Sequence, residues 1–211
     1  PGDDIFAGGT FTIAGGAPAR SVARYQPSSN SWGALGAGMS PPPLNGLLSV
    51  NASAMLTNGD LIVGGSFSAA DGVSDTLNVA SYRPASGTWH AIGNGPGDIF
   101  PVVYAVSTLP GDDLVVAGMY HPQSYPSVHR FDQMLGRWEV YQTPYNGTNI
   151  FAVGFLPSGD MCLGGNFTNV QNRISAYFAR YSYQPSYPQV TVQATPVTTC
   201  PNTDAVFTVE A

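Results

Sequence analysis

The chain repeats itself, and this constrains its fold more than any composition figure does. A glycine pair falls at Gly8-Gly9, Gly64-Gly65 and Gly164-Gly165, with Ala117-Gly118 in the third copy, so that the second members lie 56, 53 and 47 residues apart. An aromatic follows at Tyr25, Tyr82, Phe131 and Tyr181, at intervals of 57, 49 and 50. Trp32, Trp89 and Trp138 each sit seven positions after that aromatic, where the fourth copy has Pro188. A period of roughly fifty residues belongs to propeller blades or solenoid turns, units too thin to bury both their faces without neighbours.

The clearest copy spans residues 58–93. Asn58-Gly59 supplies the positive φ that a tight hairpin turn needs. From Leu61 to Phe67 both alternating sets are apolar or small, the pattern of a strand covered on two faces. Glycine weakens a strand interior, so the recurring pair predicts a neighbouring backbone or bulky ring too close to admit a Cβ. A strand near 78–82, a polar turn and a strand opening at Trp89 complete the unit. By the same landmarks the first copy holds only a second, third and fourth strand. Pro1-Gly2-Asp3-Asp4 matches Pro110-Gly111-Asp112-Asp113, so the strand before it is expected outside this sequence, and the chain reads as a piece of a longer one.

The segments YQPSSNSW and YRPASGTW, with GGTF and ARY, GGSF, and GGNF and ARY, resemble the kelch repeat, and in particular the kelch-like repeats of secreted bacterial multidomain proteins. The resemblance implies an all-β fold over residues 1–184: a partial β-propeller of about four four-stranded blades, the first and last incomplete. It is specific for fold and not for activity. Residues 185–188 read as a stiff linker. The stretch TCPNTDAVFTVEA within 189–211 resembles the opening strands of the immunoglobulin-like modules that follow such repeats, truncated here. A secreted or cell-surface location follows from the same likeness.

Composition narrows the function. Only 9% of residues are charged, with no lysine, seven arginines and a net charge of −6. No basic stripe exists to track phosphates, which argues against nucleic acid. No run of 18 apolar residues is present, so no membrane-spanning helix is expected. Cys162 reads as a small buried hydrophobe, and Cys200 is either a free thiol or half of a disulfide whose partner lies elsewhere.

Few residues suggest chemistry. The recurring tryptophans are expected to pack between blades, although a sugar-stacking surface is the functional alternative. Asp3, Asp4, Asp60, Asp112, Asp113 and Asp160 lie at hairpin glycines, where short carboxylates cap local backbone. Arg24, Arg130 and Arg180 are expected to pair with those carboxylates, with Ser81 breaking the series. His121 and His129 flank a loop and could share a metal, but no third ligand is recognisable. No nucleophile-elbow motif occurs, and no cofactor is expected.

Loop parity points to one face. In an up-and-down blade, turns after the first and third strands share one rim, and the connections after the second strand and between blades share the other. The second set is long: 12–21, 68–77, 121–127 and 168–174, with 36–45 and 94–101 between blades. Binding residues concentrate on such loops. The ligand-face candidates are Asp71, Asp75, His121 and Tyr125. The expectation is a non-catalytic recognition, adhesion or scaffold module for glycan or protein. A propeller enzyme acting on carbohydrate, oxidase or sialidase-like, and a spacer without a ligand are the alternatives.

Overall fold

The computed structural model describes residues 4–42, 46–93, 102–109, 111–119, 126–142, 149–170 and 173–182. Every regular element among them is a β-strand, and none of them forms a helix long and apolar enough to cross a membrane. The expected linker and immunoglobulin-like stretch lie outside the described residues, as do His121, Tyr125 and Cys200.

Four antiparallel sheets follow one another along the chain. Sheet I contains β1 (Ile5–Gly8), β4 (Val22–Gln26) and β5 (Ser31–Ala34), with a small ribbon of β2 (Ile13–Ala14) and β3 (Ala17–Pro18) inserted after β1. β6 (Met39–Ser40) leads out of it. Sheet II has β7 (Ser49–Met55), β8 (Leu61–Ser66), β10 (Val79–Arg83) and β11 (Thr88–His90), and the short β9 (Ala69–Ala70) pairs back onto β6. Sheet III has β12 (Val102–Thr108), β13 (Leu114–Met119), β14 (Pro126–Asp132) and β15 (Arg137–Gln142). Sheet IV has β16 (Ile150–Phe155), β17 (Met161–Gly165) and β20 (Phe178–Tyr181), with β18 (Asn169–Val170) and β19 (Arg173–Ile174) as a ribbon between the last two. The fold is the expected partial propeller. Sheets II and III have four strands, sheet I lacks an inner strand among the described residues, and sheet IV shows three.

The sheets bury their faces against each other. On β8, Leu61 and Val63 face sheet I and join Val22, Leu35, Met39, Val50, Tyr82 and Trp89 in one apolar cluster. The alternate residue Ile62 faces sheet III and joins Val79, Ile92, Val103, Leu114, Val116 and Phe131. This explains why both sets of residues on that strand are apolar.

The two glycines of each pair answer different neighbours. A Cβ on Gly65, Gly118 or Gly165 would run into the carbonyl oxygen of Ser49, Val102 or Asn149, the start of the adjacent inner strand of the same sheet. There β7, β12 and β16 each carry a bulge, between Val50 and Ala52, Val103 and Ala105, and Ile150 and Ala152. A Cβ on the first glycine would instead meet the next sheet: Gly8 against Val50 Cγ1 at 2.5 Å, Gly64 against Val103 and Val106 at 2.6 Å. Gly164 has nothing nearer than Ala152 Cβ at 3.6 Å. Ala117 replaces the first glycine in the third copy and is fully buried. The second glycine is obligatory in sheets II, III and IV, whereas in sheet I a Cβ on Gly9 would meet only the Phe11 ring, at 3.1 Å.

The tryptophans do pack between sheets, and their indole nitrogens show how. Trp89 Nε1 donates to the Leu35 carbonyl at 3.1 Å, and Trp138 Nε1 to the Ile92 carbonyl at 3.1 Å. Each acceptor lies three residues after the preceding copy's tryptophan. Each ring also tilts against the aromatic paired with it across strands, Tyr82 with Trp89 at 5.0 Å and Phe131 with Trp138 at 5.3 Å between centroids. Trp32 keeps the intrasheet contact, at 5.2 Å from Tyr25, but is 37% exposed where Trp89 is 3% exposed.

Truncating Trp89 to Ala should cost roughly 3–5 kcal/mol, as for other buried aromatics, and Trp32→Ala clearly less. Urea unfolding followed by circular dichroism checks the order; equal losses would refute the intersheet role. Gly65→Ala should destabilise strongly because the obstacle is backbone, whereas Gly164→Ala should be neutral within about 0.5 kcal/mol, the range of unremarkable substitutions.

Candidate functional site

Two of the long connections on the candidate rim carry small two-stranded ribbons, β2–β3 and β18–β19, and a third, 68–77, pairs through β9 with β6, which the loop lengths do not announce. Three share one closure. Gly9 N donates to Ser21 O and Ser21 N to Phe11 O; Gly65 and Asn78 repeat this with Phe67, and Gly165 and Tyr177 with Phe167, all at 2.9–3.1 Å. The closing residue adopts positive φ each time: Ser21 at 62°, Asn78 at 60°, Tyr177 at 67°. Such a φ is uncommon for serine and an outlier for a bulky tyrosine, so the closure dictates the backbone whatever residue occupies it. Phe67 and Phe167 are fully buried beneath the ribbons. The sequence signal was present in the phenylalanine of GGTF, GGSF and GGNF, but two-residue strands are too short to read from periodicity.

Between these closures the ribbons differ. The first turns through Gly15-Gly16, both at positive φ, and exposes Ile13 at its tip. The second is held by a buried threonine: Thr76 Oγ1 accepts from Ala70 N at 2.8 Å and donates to Val73 O at 2.7 Å. It is also tied to the segment leaving sheet I by the β6–β9 pairing and by Asp71 N donating to Gly38 O at 2.8 Å.

Asp71 and Asp75 both lie on this second ribbon, exposed and with positive φ of 51° and 59°. Asp71 has a structural partner as well, since its Oδ1 accepts from Ala37 N at 2.6 Å and a Cβ on Gly36 would collide with its carboxylate. Asp75 lies on the same connection, without such a brace among the described residues. His121 and Tyr125 fall outside the described residues, and of the four candidates Asp71 and Asp75 are brought together on one connection.

The hairpin carboxylates are engaged. Asp4, Asp113 and Asp160 pair with Arg24, Arg130 and Arg180, with Arg130 Nε to Asp113 Oδ2 at 3.0 Å and Arg180 Nε to Asp160 Oδ2 at 2.8 Å. The break at Ser81 is repaired two residues on, where Arg83 reaches Asp60 at 3.2 Å from the same face of the strand. Asp112 departs from the local-cap expectation: its carboxylate accepts from Thr57 N at 3.1 Å and from the Thr57 hydroxyl, fastening the turn of sheet III to that of sheet II. Asp132, which the sequence reading passed over, caps its own turn through Met134 N and Leu135 N, both at 2.9 Å. Arg130 is well enclosed, with 7% of its side chain exposed between Asp113 and Asp132.

Two clefts open on the opposite, short-turn rim. The larger, about 740 Å³, lies between sheets I and II and is lined by Asp4, Phe6, Arg24, Met55, Asp60 and Arg83 among others. The smaller, about 310 Å³, lies between sheets II and III where Asp112 draws the turns together. Loop length had pointed to the other rim, and no sequence signal marked these spaces.

No family model matches this chain, and no curated protein matches it. Among solved structures it is similar to PorZ, a surface component of the type-IX secretion system of Porphyromonas gingivalis, at 18% identity over 69% of this chain and 21% of that one, with a TM-score of 0.49. It is similar also to the extracellular domain of a protein from B. thetaiotaomicron named as a one-component system, at 12% identity over 83% and 20%, with a TM-score of 0.46. A protein named as a gluconolactonase aligns at 14% identity over 78% and 57%, with a TM-score of 0.46. The chain thus spans about a fifth of the first two.

The histidine pair considered for a metal is divided. His129 is buried on β14 opposite Val116 and Val140, while His121 is outside the described residues. Among the described residues no group of three His, Cys, Asp or Glu side chains is placed to hold a metal ion. Cys162 is half-buried, more open than expected, and unpaired as a thiol.

Burial lowers the His129 pKa from 6.5 to about 4. Its folded-state pKa lies below its unfolded one, so between these values the unfolded chain takes up a proton that the folded chain excludes. Stability from this group is complete above pH 6.5 and is lost as the pH falls towards 4, by about 3 kcal/mol at most. Melting temperatures measured from pH 7.5 to 4.5 should fall more steeply for the native chain than for His129→Leu; parallel curves would contradict this.

Proposed function

We propose that the chain is a non-catalytic recognition or scaffold module of an extracellular protein, binding glycan or protein through its ribbon-bearing rim. One observation carries the reading: three connections of different sequence stand on the same hydrogen-bonded closure on the same rim. Such a design holds the support constant and varies what is presented. The exposed Ile13, Asp71 and Asp75 offer an apolar contact and two acceptors. Secretion, the kelch-like family and an immunoglobulin-like module over 189–211 belong to this proposal, supported by the repeat motifs and the tail sequence. The engagement of the hairpin carboxylates by arginines also supports a binding reading over acid–base chemistry, because each of them is already committed to a structural pair.

A glycan array and a panel of extracellular matrix proteins, probed with the whole chain, test the proposal. Binding should be saturable and should fall about tenfold or more, equivalent to 1.4 kcal/mol, when Asp75 is changed to Ala together with Ile13→Ser. It should be unmoved by Arg137→Gln, which breaks only the exposed pair with Glu139 on sheet III. Silence across both panels, or losses equal in the two variants, would overturn it.

A further inference from the structure

Sheets II and III each have four strands and a sheet on either side, so the smaller cleft between them, about 310 Å³, is walled by complete sheets. Its floor is apolar, with Ile62 and Leu114 among the residues that seal it, and its mouth is polar. On the sheet II wall Ser81 lies across the strands from Ile62 on one side and His90 on the other, and Arg83 stands two residues further along the same face. Gln133 borders the cleft from sheet III.

Position 81 is where the other copies place an arginine, and only the folded chain shows what the exchange leaves behind. In sheet III the arginine at that position, Arg130, is held between two carboxylates: its Nε donates to Asp113 at 3.0 Å, and its Nη2 lies 3.7 Å from Asp132, two residues further along the strand. In sheet II the arginine itself occupies the place of that second acid. Arg83 donates to Asp60 through Nε at 3.4 Å and Nη2 at 3.2 Å, and its side chain is 50% exposed. Its Nη1 has no partner among the described residues. Nε and Nη2 form one edge of the guanidinium, so the edge formed by Nη1 and Nη2 is left to take a second carboxylate.

Other polar groups of the cleft are open in the same way. The buried Ser81 hydroxyl has no hydrogen-bond partner among the described residues, and a buried hydroxyl without a partner carries a desolvation cost that a ligand can relieve. His90 uses Nε2 towards Thr88 Oγ1 at 2.8 Å, which leaves Nδ1. A cation finds no open carboxylate here, because Asp60 accepts from Arg83 twice and from Asn58 Nδ2 at 3.2 Å.

We propose that this cleft is a binding site for a small hydroxylated carboxylic acid. The carboxylate lies on the Nη1–Nη2 edge of Arg83, hydroxyls meet Ser81 and the His90 ring, and the carbon frame rests over Ile62 and Leu114. A space of about 310 Å³ is at the small end of ligand pockets, which span roughly 300–1,000 Å³, so the occupant is a single small molecule and not a polymer chain. The site is on the short-turn rim, independent of the ribbon rim.

The test is calorimetric titration of the whole chain with D-glucuronate, D-glucose and D-glucosamine, one ring carrying a negative, a neutral and a positive group. At equal ionic strength glucuronate should saturate and bind about tenfold or more tightly than either of the others, the margin of a charge-assisted pair. Arg83→Gln should weaken it by about tenfold or more. Ser81→Arg restores the residue of the other copies and fills the cleft, so it should abolish binding while the melting temperature stays level or rises, which separates loss of the site from loss of the fold. Asp75→Ala with Ile13→Ser, on the ribbon rim, should leave binding within about twofold, as for distant sites. No saturable binding of glucuronate, equal affinity for the three sugars, a preference for glucosamine, or a loss confined to the ribbon-rim variant would overturn the proposal.

Discussion

Everything in this structure depends on how closely one sheet approaches the next. A four-stranded sheet of such short strands has little interior of its own, and its stability comes from apolar faces pressed against neighbours. The distance is set by the branched side chains Val50, Val103 and Val106, which lie where a Cβ on Gly8 or Gly64 would be. The indole hydrogen bonds from Trp89 and Trp138 fix the lateral register of the same contacts. A buried indole N–H is costly to leave unsatisfied, so each sheet slides until its tryptophan meets the waiting carbonyl.

Near the inner edge a second set of contacts works in the same direction. The inner strands bulge at Asn51, Tyr104 and Phe151, and the displaced side chains reach forward. Asn51 Nδ2 donates to the Val103 carbonyl at 2.9 Å, and Tyr104 meets Phe151 edge-on at 5.3 Å. A bulge that re-aims a side chain is a familiar device in sheets. Here it fastens each inner strand to its successor while the tryptophans fasten the outer ones. Asp112 adds a third fastening at the turns of sheets II and III, and the space between those sheets is correspondingly the smaller of the two clefts.

The architecture was legible because it is written redundantly. Strand positions, the intersheet place of Trp89 and Trp138, and the ion pairs of Arg24, Arg130 and Arg180 all follow from landmarks that recur in order. What depended on single residues was not legible. The shift of the arginine from position 81 to 83 preserves the pair because residues two apart share a strand face, yet nothing in a one-dimensional pattern announces it. Asp112 looked like a local cap because its partner, Thr57, is close only after two sheets have met. The candidate rim rests on loop length alone, which does not announce the closure that three of its connections share. That closure lies in backbone hydrogen bonds to Phe11, Phe67 and Phe167, and in the positive φ of three unlike residues. Asp71 is a candidate by its place on a long loop, and its bond to Ala37 depends on a segment 34 residues earlier in the chain.

The indole bonds are one-directional: the donor always belongs to the later copy, and the acceptor lies three residues past the earlier tryptophan. Within the first three copies, a tract of one period that holds a tryptophan therefore carries a donor and, three residues on, an acceptor in the proper sequence. A gene encoding such a chain can grow or shrink by tandem duplication and loss without a matched change elsewhere, because every inserted copy brings its own means of attachment.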